Sequence, residues 1–195
     1  MTLARQGRPA RYTDDELLAV VTAVFNERGY DATSMEDLAR ATGLAKSAVY
    51  HHVSGKEELL RRGVARALDA LFAVLAEPAG ERAVDRLEHV VRRSVDVLVE
   101  ELPYVTLLLR VRGNTEAERW ALGRRRTFDR RLAALVQAAI AEGDVRADLD
   151  PAMVTRLLFG MVNSLVEWYR PGGHSGTNRR VADALVALVF DGLRS

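Results

Sequence analysis

No cysteine occurs among the 195 residues. A disulfide, a thiolate nucleophile and a cysteine-ligated zinc site are therefore excluded. The histidines, His51, His52, His89 and His174, show no metal-ligand spacing, so no metal is expected. There is no uninterrupted apolar run of about 18 residues, the length a membrane-spanning helix needs. The polar N-terminus does not read as a secretory signal. No membrane partner is expected, and a cytoplasmic location is. Strand signals are missing too: no alternating apolar run flanked by hairpin turns is found. Catalytic signatures such as GxSxG or a phosphate-binding P-loop do not occur, and no His–carboxylate–nucleophile set can be placed. Neither an enzyme nor a cofactor is expected. A strong excess of one charge is also lacking, since the formal net charge is +1. Any recognition of nucleic acid must then come from a local concentration of positive groups.

What the chain does have is apolar periodicity of the helical kind. Apolar residues make up 48% and charged residues 28%, an ordinary balance for a chain that folds around a core. Residues 1–12 lack such periodicity. Arg5, Arg8 and Arg11 there form either a basic arm for a phosphate backbone or minor groove, or a solvated terminus. From Thr13 to Arg28, Leu17, Val20, Val21, Val24 and Phe25 fall on one helix face. Thr13 and Glu16 form a possible capping box, and Gly29 follows as terminator.

The central stretch runs from Thr33 to Lys56. Met35, Leu38, Ala39 and Thr42 share one face of a short helix. Thr33 is read as its cap, with Glu36 completing a capping box. Gly43 ends it in a left-handed turn, and Leu44 can fill the angle before a second short helix, about Lys46 to His52. Ala48 and Val49 face inward there, leaving Lys46, Ser47, Tyr50 and His51 outward. Two short helices about a glycine turn make a helix-turn-helix. The second helix of that motif enters the DNA major groove with its N-terminal residues foremost. Lys46 suits a phosphate or a guanine edge, Ser47 permits close approach, and Tyr50 and His51 suit phosphate oxygens. The bland alternative is a helical hairpin with a solvated face.

Gly29-Tyr30, Thr33-Ser34, Leu38-Ala39, Gly43, Lys46, Tyr50-His51 and Gly55-Lys56 together resemble the DNA-binding segment of tetracycline-repressor (TetR) family regulators. Departures are Ala45, where a capping Ser is frequent, and His52-Val53, where a Tyr-Phe pair is common. The resemblance implies an all-α fold of about nine helices: a DNA-binding domain over 1–56, then a ligand-binding and dimerisation domain over 57–195, joined by the helix from about 55 to 75. It also implies a DNA-contacting set of Thr33, Ser34, Ala45, Lys46, Ser47, Tyr50, His51 and Lys56. The partner would be a double-stranded operator. The rival reading is a helical small-molecule-binding or interaction protein without sequence-specific DNA binding.

Beyond the motif, Ser54 is read as the cap of the joining helix, with Glu57 as its capping partner. Lys56 in the first turn adds a cation where exposed N–H groups already favour a phosphate. Pro78-Ala79-Gly80 breaks the chain and reads as a domain boundary. Helices follow over Arg82 to Glu101, Tyr104 to about Val111, Thr115 to Glu142, from Asp150-Pro151 to before Pro171, and from a Thr177 cap to about Leu193. The last two are apolar on more than one side and so need two partners. Leu157, Leu158, Met161, Leu165, Leu185 and Leu188 are the expected face of a homodimer, as in the TetR-like regulators.

Candidate ligand-binding residues combine apolar bulk with isolated polar groups: His89, Arg92, Tyr104, Arg110, Trp120, Arg124, Phe128, Asn163 and Trp168. The cluster Arg124-Arg125-Arg126 with Arg130-Arg131 is either a solvated face or a site for an anionic ligand. The run Gly160 to Gly173 is similar to TetR-family regulators of acyl-CoA breakdown. A small hydrophobic effector is expected, an acyl-CoA thioester being one candidate.

Overall fold

The structure, a computed structural model, describes residues 12–170 and 178–193. Among these residues there are nine α-helices and no strand. The arginine arm, Pro171-Gly172-Gly173, His174 and the Thr177 cap lie outside the described residues. Two compact units are formed, Met1–Gly63 and Val64–Ser195. The division falls inside one helix, further along it than the expected 56/57 boundary.

The first unit holds α1 (Asp14–Arg28), α2 (Met35–Thr42), α3 (Lys46–His52) and the start of α4 (Lys56–Val74). Thr13 caps α1 through the expected reciprocal box with Glu16, and the Gly29 N–H donates to the Phe25 carbonyl. Leu17, Val21 and Phe25 are buried, and Phe25 meets the Tyr30 ring edge-on at 5.3 Å. α2 buries Met35, Leu38, Ala39 and Thr42, the face the periodicity predicts.

Its cap, however, is Ser34 and not Thr33. The Ser34 hydroxyl accepts from the Asp37 N–H at 3.1 Å, and the Asp37 carboxylate accepts from the Ser34 N–H at 3.0 Å. Thr33 is buried, and its hydroxyl donates back to the Gly29 carbonyl at 2.7 Å. Capping is thus shifted one residue along, with Asp37 in the place foreseen for Glu36. A similar shift occurs at α4, where the Ser54 hydroxyl donates to Glu58 at 2.7 Å instead of pairing with Glu57.

In the second unit the rest of α4 is followed by α5 (Ala83–Glu100), α6 (Leu102–Arg110), α7 (Glu116–Ala141), α8 (Pro151–Trp168) and α9 (Asn178–Leu193). Pro78-Ala79-Gly80 links α4 to α5 within this unit. Helix α5 lies against α7, α8 and α9, and α7 packs along α8. Burial follows: Leu87, Val91, Val95 and Leu98 of α5, Leu132 and Val136 of α7, and Leu158, Val162 and Leu165 of α8 are all enclosed. Thr115 with Glu118 caps α7, and Asp150 accepts from the Met153 N–H at 2.7 Å to cap α8 behind Pro151.

Candidate functional site

The turn between α2 and α3 is built by Gly43, whose φ of 67° is left-handed. Its N–H and that of Leu44 return to carbonyls in the last turn of α2, closing the helix end. A Cβ at this position would be strained by about 1 kcal/mol, which is why glycine marks the corner. The fully buried Val49 then anchors α3 from beneath. Lys46, Ser47, Tyr50 and His51 consequently all stand on the exposed side of α3, as expected. Ala45 is in extended backbone at the α3 N-cap and contributes no side-chain bond, leaving amide donors of the first turn open to a phosphate.

Two contacts inside this unit change the picture. The Lys46 ammonium pairs with the Glu36 carboxylate across the turn. That hydrogen bond lowers the Glu36 pKa and raises that of Lys46. Any anion that approaches this cation must therefore compete with an internal carboxylate. Lys56 is held elsewhere: its Nζ donates to the Tyr30 carbonyl at 2.9 Å and sits 4.3 Å from the centre of the Tyr30 ring. It fastens the α1–α2 loop to the start of α4. Buried Thr33 is out of reach of any external partner, whereas Ser34 remains exposed at the α2 N-terminus. His52 is bonded to Asp14 at 2.8 Å, tying α3 to α1.

In the second unit, α7 and α8 enclose an open crevice of about 430 Å³. Arg125 and Arg130 line it from α7 and Arg156 and Asn163 from α8, with Asp129 between the α7 arginines. Burial raises the Asp129 pKa, while Arg125 and Arg156 oppose that shift. Phe159 also lines the crevice and reaches inward. Its ring meets Phe128 edge-on at 5.3 Å, and Phe128 meets Phe72 at 5.7 Å. A cationic mouth is thus continuous with an aromatic cluster.

Comparison with known proteins bears on both units. Residues 17–62 match the family described as bacterial regulatory proteins, tetR family, and residues 80–193 match the tetracyclin repressor-like C-terminal domain. The chain belongs to the TetR family of transcriptional regulators. It is 32% identical to the HTH-type transcriptional repressor KstR2 of Rhodococcus jostii (strain RHA1), over 97% of this chain and 94% of that one. Among solved structures it resembles SCO3833, a TetR-family member from Streptomyces coelicolor A3, with TM-score 0.87 and 59% identity over 99% of this chain and 98% of that one. It also resembles the ketosteroid transcriptional regulator KstR2 of Mycobacterium tuberculosis, with TM-score 0.83 and 27% identity over 96% and 100% of the two chains.

Within this TetR regulator the nine expected ligand residues do not gather at one place. Asn163 lines the crevice and Phe128 sits behind it. Arg124 does not line the crevice: it pairs with Asp69 at 3.0 Å and lies over the Phe72 ring, with the Trp120 ring also near it. Arg92 bridges Glu88 and Asp183, holding α5 to α9, and His89 bonds Glu77 at 2.8 Å beside a smaller pocket. Tyr104 is buried beneath the Arg66 guanidinium, itself paired with Glu101 at 2.7 Å, and Arg110 is exposed at the end of α6. Trp168 stands with the exposed apolar surface of α8 and α9.

That surface also revises the expected dimer face. Leu157, Met161 and Leu188 are exposed, joined by Met153 and Trp168, but Leu158, Leu165 and Leu185 are buried in the unit's own core. On α8 the exposed Leu157 adjoins the buried Leu158, and on α9 the exposed Leu188 lies three residues beyond the buried Leu185. Arg156, Asp129 and Phe159 line the crevice and were not singled out from the sequence. Their only sequence signal was an arginine on α8 one helical turn before Gly160, which gains meaning once α8 is paired with α7.

Proposed function

We propose that this TetR regulator is a repressor that binds a pseudo-palindromic operator as a homodimer and leaves it when a small hydrophobic effector binds. The observation that carries the reading is the α2–Gly43–α3 unit, with Lys46, Ser47, Tyr50 and His51 displayed together on the outer side of α3. Lys46 and Ser47, at the leading end, are assigned to base edges and nearby phosphates. Ser34, Tyr50, His51 and the open amides beside Ala45 are assigned to the backbone. Lys56 has a positioning role through Tyr30, and Thr33 a structural one through Gly29.

A two-fold partner supports this use, since two recognition helices must meet successive major grooves ~34–36 Å apart. The surface assigned to it carries Met153, Leu157, Met161, Trp168 and Leu188, an exposed apolar patch of the kind that marks a protein contact. The effector is assigned to the second unit, where Phe159, Phe128 and Phe72 offer apolar bulk behind the arginine-lined mouth. An acyl-CoA thioester matches that pairing of apolar body and anionic end. Effector binding favours a dimer in which the two recognition helices no longer match the groove spacing; full reversal needs about 5.5 kcal/mol of preference. A cytoplasmic location is in keeping with an operator partner. Selection of binding sites from random duplexes tests the reading. Enrichment of an inverted repeat, with altered base preference for Lys46→Ala and Ser47→Ala, is expected; no enrichment rejects it.

A further inference from the structure

The arginines of the second unit differ in whether a carboxylate neutralises them, and what sets the crevice apart is that several without one converge there. Arg66, Arg92, Arg93, Arg124 and Arg146 are each neutralised by a carboxylate in an ion pair. Arg125, Arg130 and Arg156 have no carboxylate within ion-pair distance among the described residues, and they line one crevice. Among the described residues the Arg130 guanidinium donates to the neutral Thr127 hydroxyl, at 2.9 Å. Asp129 is the sole acidic residue of the lining, and its interaction with Arg125 and Arg156 is through space, without a hydrogen bond among the described contacts. Three guanidinium groups against one carboxylate leave the crevice with an excess of about two positive charges. Such a concentration is unfavourable unless solvent or a multiply charged anion compensates it.

Chemistry narrows the anion. Guanidinium groups match phosphate oxygens by paired N–H donors, so arginine suits phosphate better than a lone monovalent carboxylate, which one arginine would satisfy. The crevice, at about 430 Å³, is large enough for a diphosphate with part of its attached group. The Asn163 amide on the opposite helix adds both donor and acceptor for a polar linker. Phe159 gives the crevice an aromatic wall, backed by the Phe128 and Phe72 rings.

We propose that the α7–α8 crevice is a diphosphate subsite, in which Arg125, Arg130 and Arg156 bind the phosphates of a nucleotide-linked thioester and Asp129 acts as the internal counter-charge. This rests on the effector reading above and assigns that site's anionic half. Arg124 and Arg131, although in the same sequence cluster, take no part: the first is paired with Asp69, and the second lies 5.3 Å from the centre of the Phe72 ring.

Calorimetry on the full chain, using hexanoyl-CoA, coenzyme A, inorganic pyrophosphate and hexanoate as probes, tests the assignment. Hexanoyl-CoA and coenzyme A should bind wild type and weaken with added salt. R130Q and R156Q should each lose about tenfold or more in hexanoyl-CoA affinity, some 1.4 kcal/mol, with hexanoate unchanged. R126Q, altered on the same helix outside the crevice, should bind like wild type, and D129N should bind coenzyme A more tightly. Circular dichroism confirms folding of each variant. Unchanged affinity in R130Q and R156Q, an equal loss in R126Q, or pyrophosphate alone binding as an adventitious ion only, overturns the subsite. A parallel operator titration keeps the two readings apart. Release by hexanoate and not by hexanoyl-CoA refutes the subsite and leaves the regulator intact, whereas absence of operator binding refutes the regulator.

Discussion

Replacing Leu188 by Ser should dissociate the dimer without unfolding the protomer. Leu188 is 78% exposed on α9, so it contributes almost nothing to the core of its own unit. Fully burying a leucine is worth about 1.5–3 kcal/mol, so most of that, roughly 1–2 kcal/mol, is gained when a partner covers it. Two-fold symmetry counts the residue once in each protomer. The substitution should therefore cost about 2–4 kcal/mol of dimerisation, a roughly 30- to 1,000-fold rise in Kd. Sedimentation over a nanomolar-to-micromolar range reads that shift, and thermal melting of the monomeric form reads folding. Leu158→Ser is the contrast: Leu158 is 2% exposed, so its loss should lower the melting temperature whatever the state of assembly. If L188S kept the wild-type Kd, or if its melting fell as far as that of L158S, the α8–α9 surface would not be the dimer face.

Other expectations concern the reading head and its supports. Ser34→Ala removes the α2 cap, and should cost about 1 kcal/mol, lowering the melting temperature of this unit by roughly 4–8 °C; no change would return the capping role to another residue. Asp37 is held below the usual carboxylate range, chiefly by its bonds to Ser34, with Arg40 and Arg28 assisting. Its folded-state pKa is depressed, so its contribution is complete above the ordinary aspartate pKa and lost as pH falls through the lowered value. Acid titration of wild type against D37N should show that part of the pH dependence removed, and superimposable acid profiles would refute it. Glu36→Gln frees Lys46 from its internal partner, so affinity for random DNA should rise and the salt slope should steepen in an anisotropy titration; an unchanged slope would show that the pair does not compete with DNA.

The helices were legible because their signals are local. Thr13, Glu16 and the apolar spacing through Phe25 specify α1 without reference to anything distant, and Gly43 marks the turn by its own backbone demand. Adjacent residues of similar chemistry were harder. Thr33 and Ser34 offer two hydroxyls, Glu36 and Asp37 two carboxylates, and either register makes a plausible capping box. The choice is settled by Gly29, whose carbonyl takes the Thr33 hydroxyl. Leu157 and Leu158 present the same difficulty on α8, since a helix apolar on two sides does not state which side its own core will use. The crevice was the least legible. Arg125 and Arg130 belong to a visible cluster, but Arg156 joins them only through the packing of α7 on α8. Pairings such as Lys46 with Glu36 and Arg124 with Asp69, which decide which cations remain free, are likewise properties of the folded chain.

Footprinting of the purified dimer on the DNA upstream of its own gene tests the central claim most directly. Protection of an inverted repeat with half-site centres one helical turn or a multiple of it apart is predicted, at an affinity about 10³-fold or more above random duplex. Lys46→Ala should alter that base preference while leaving the chain folded. Uniform, sequence-independent protection that falls away with salt alike on every fragment would contradict it.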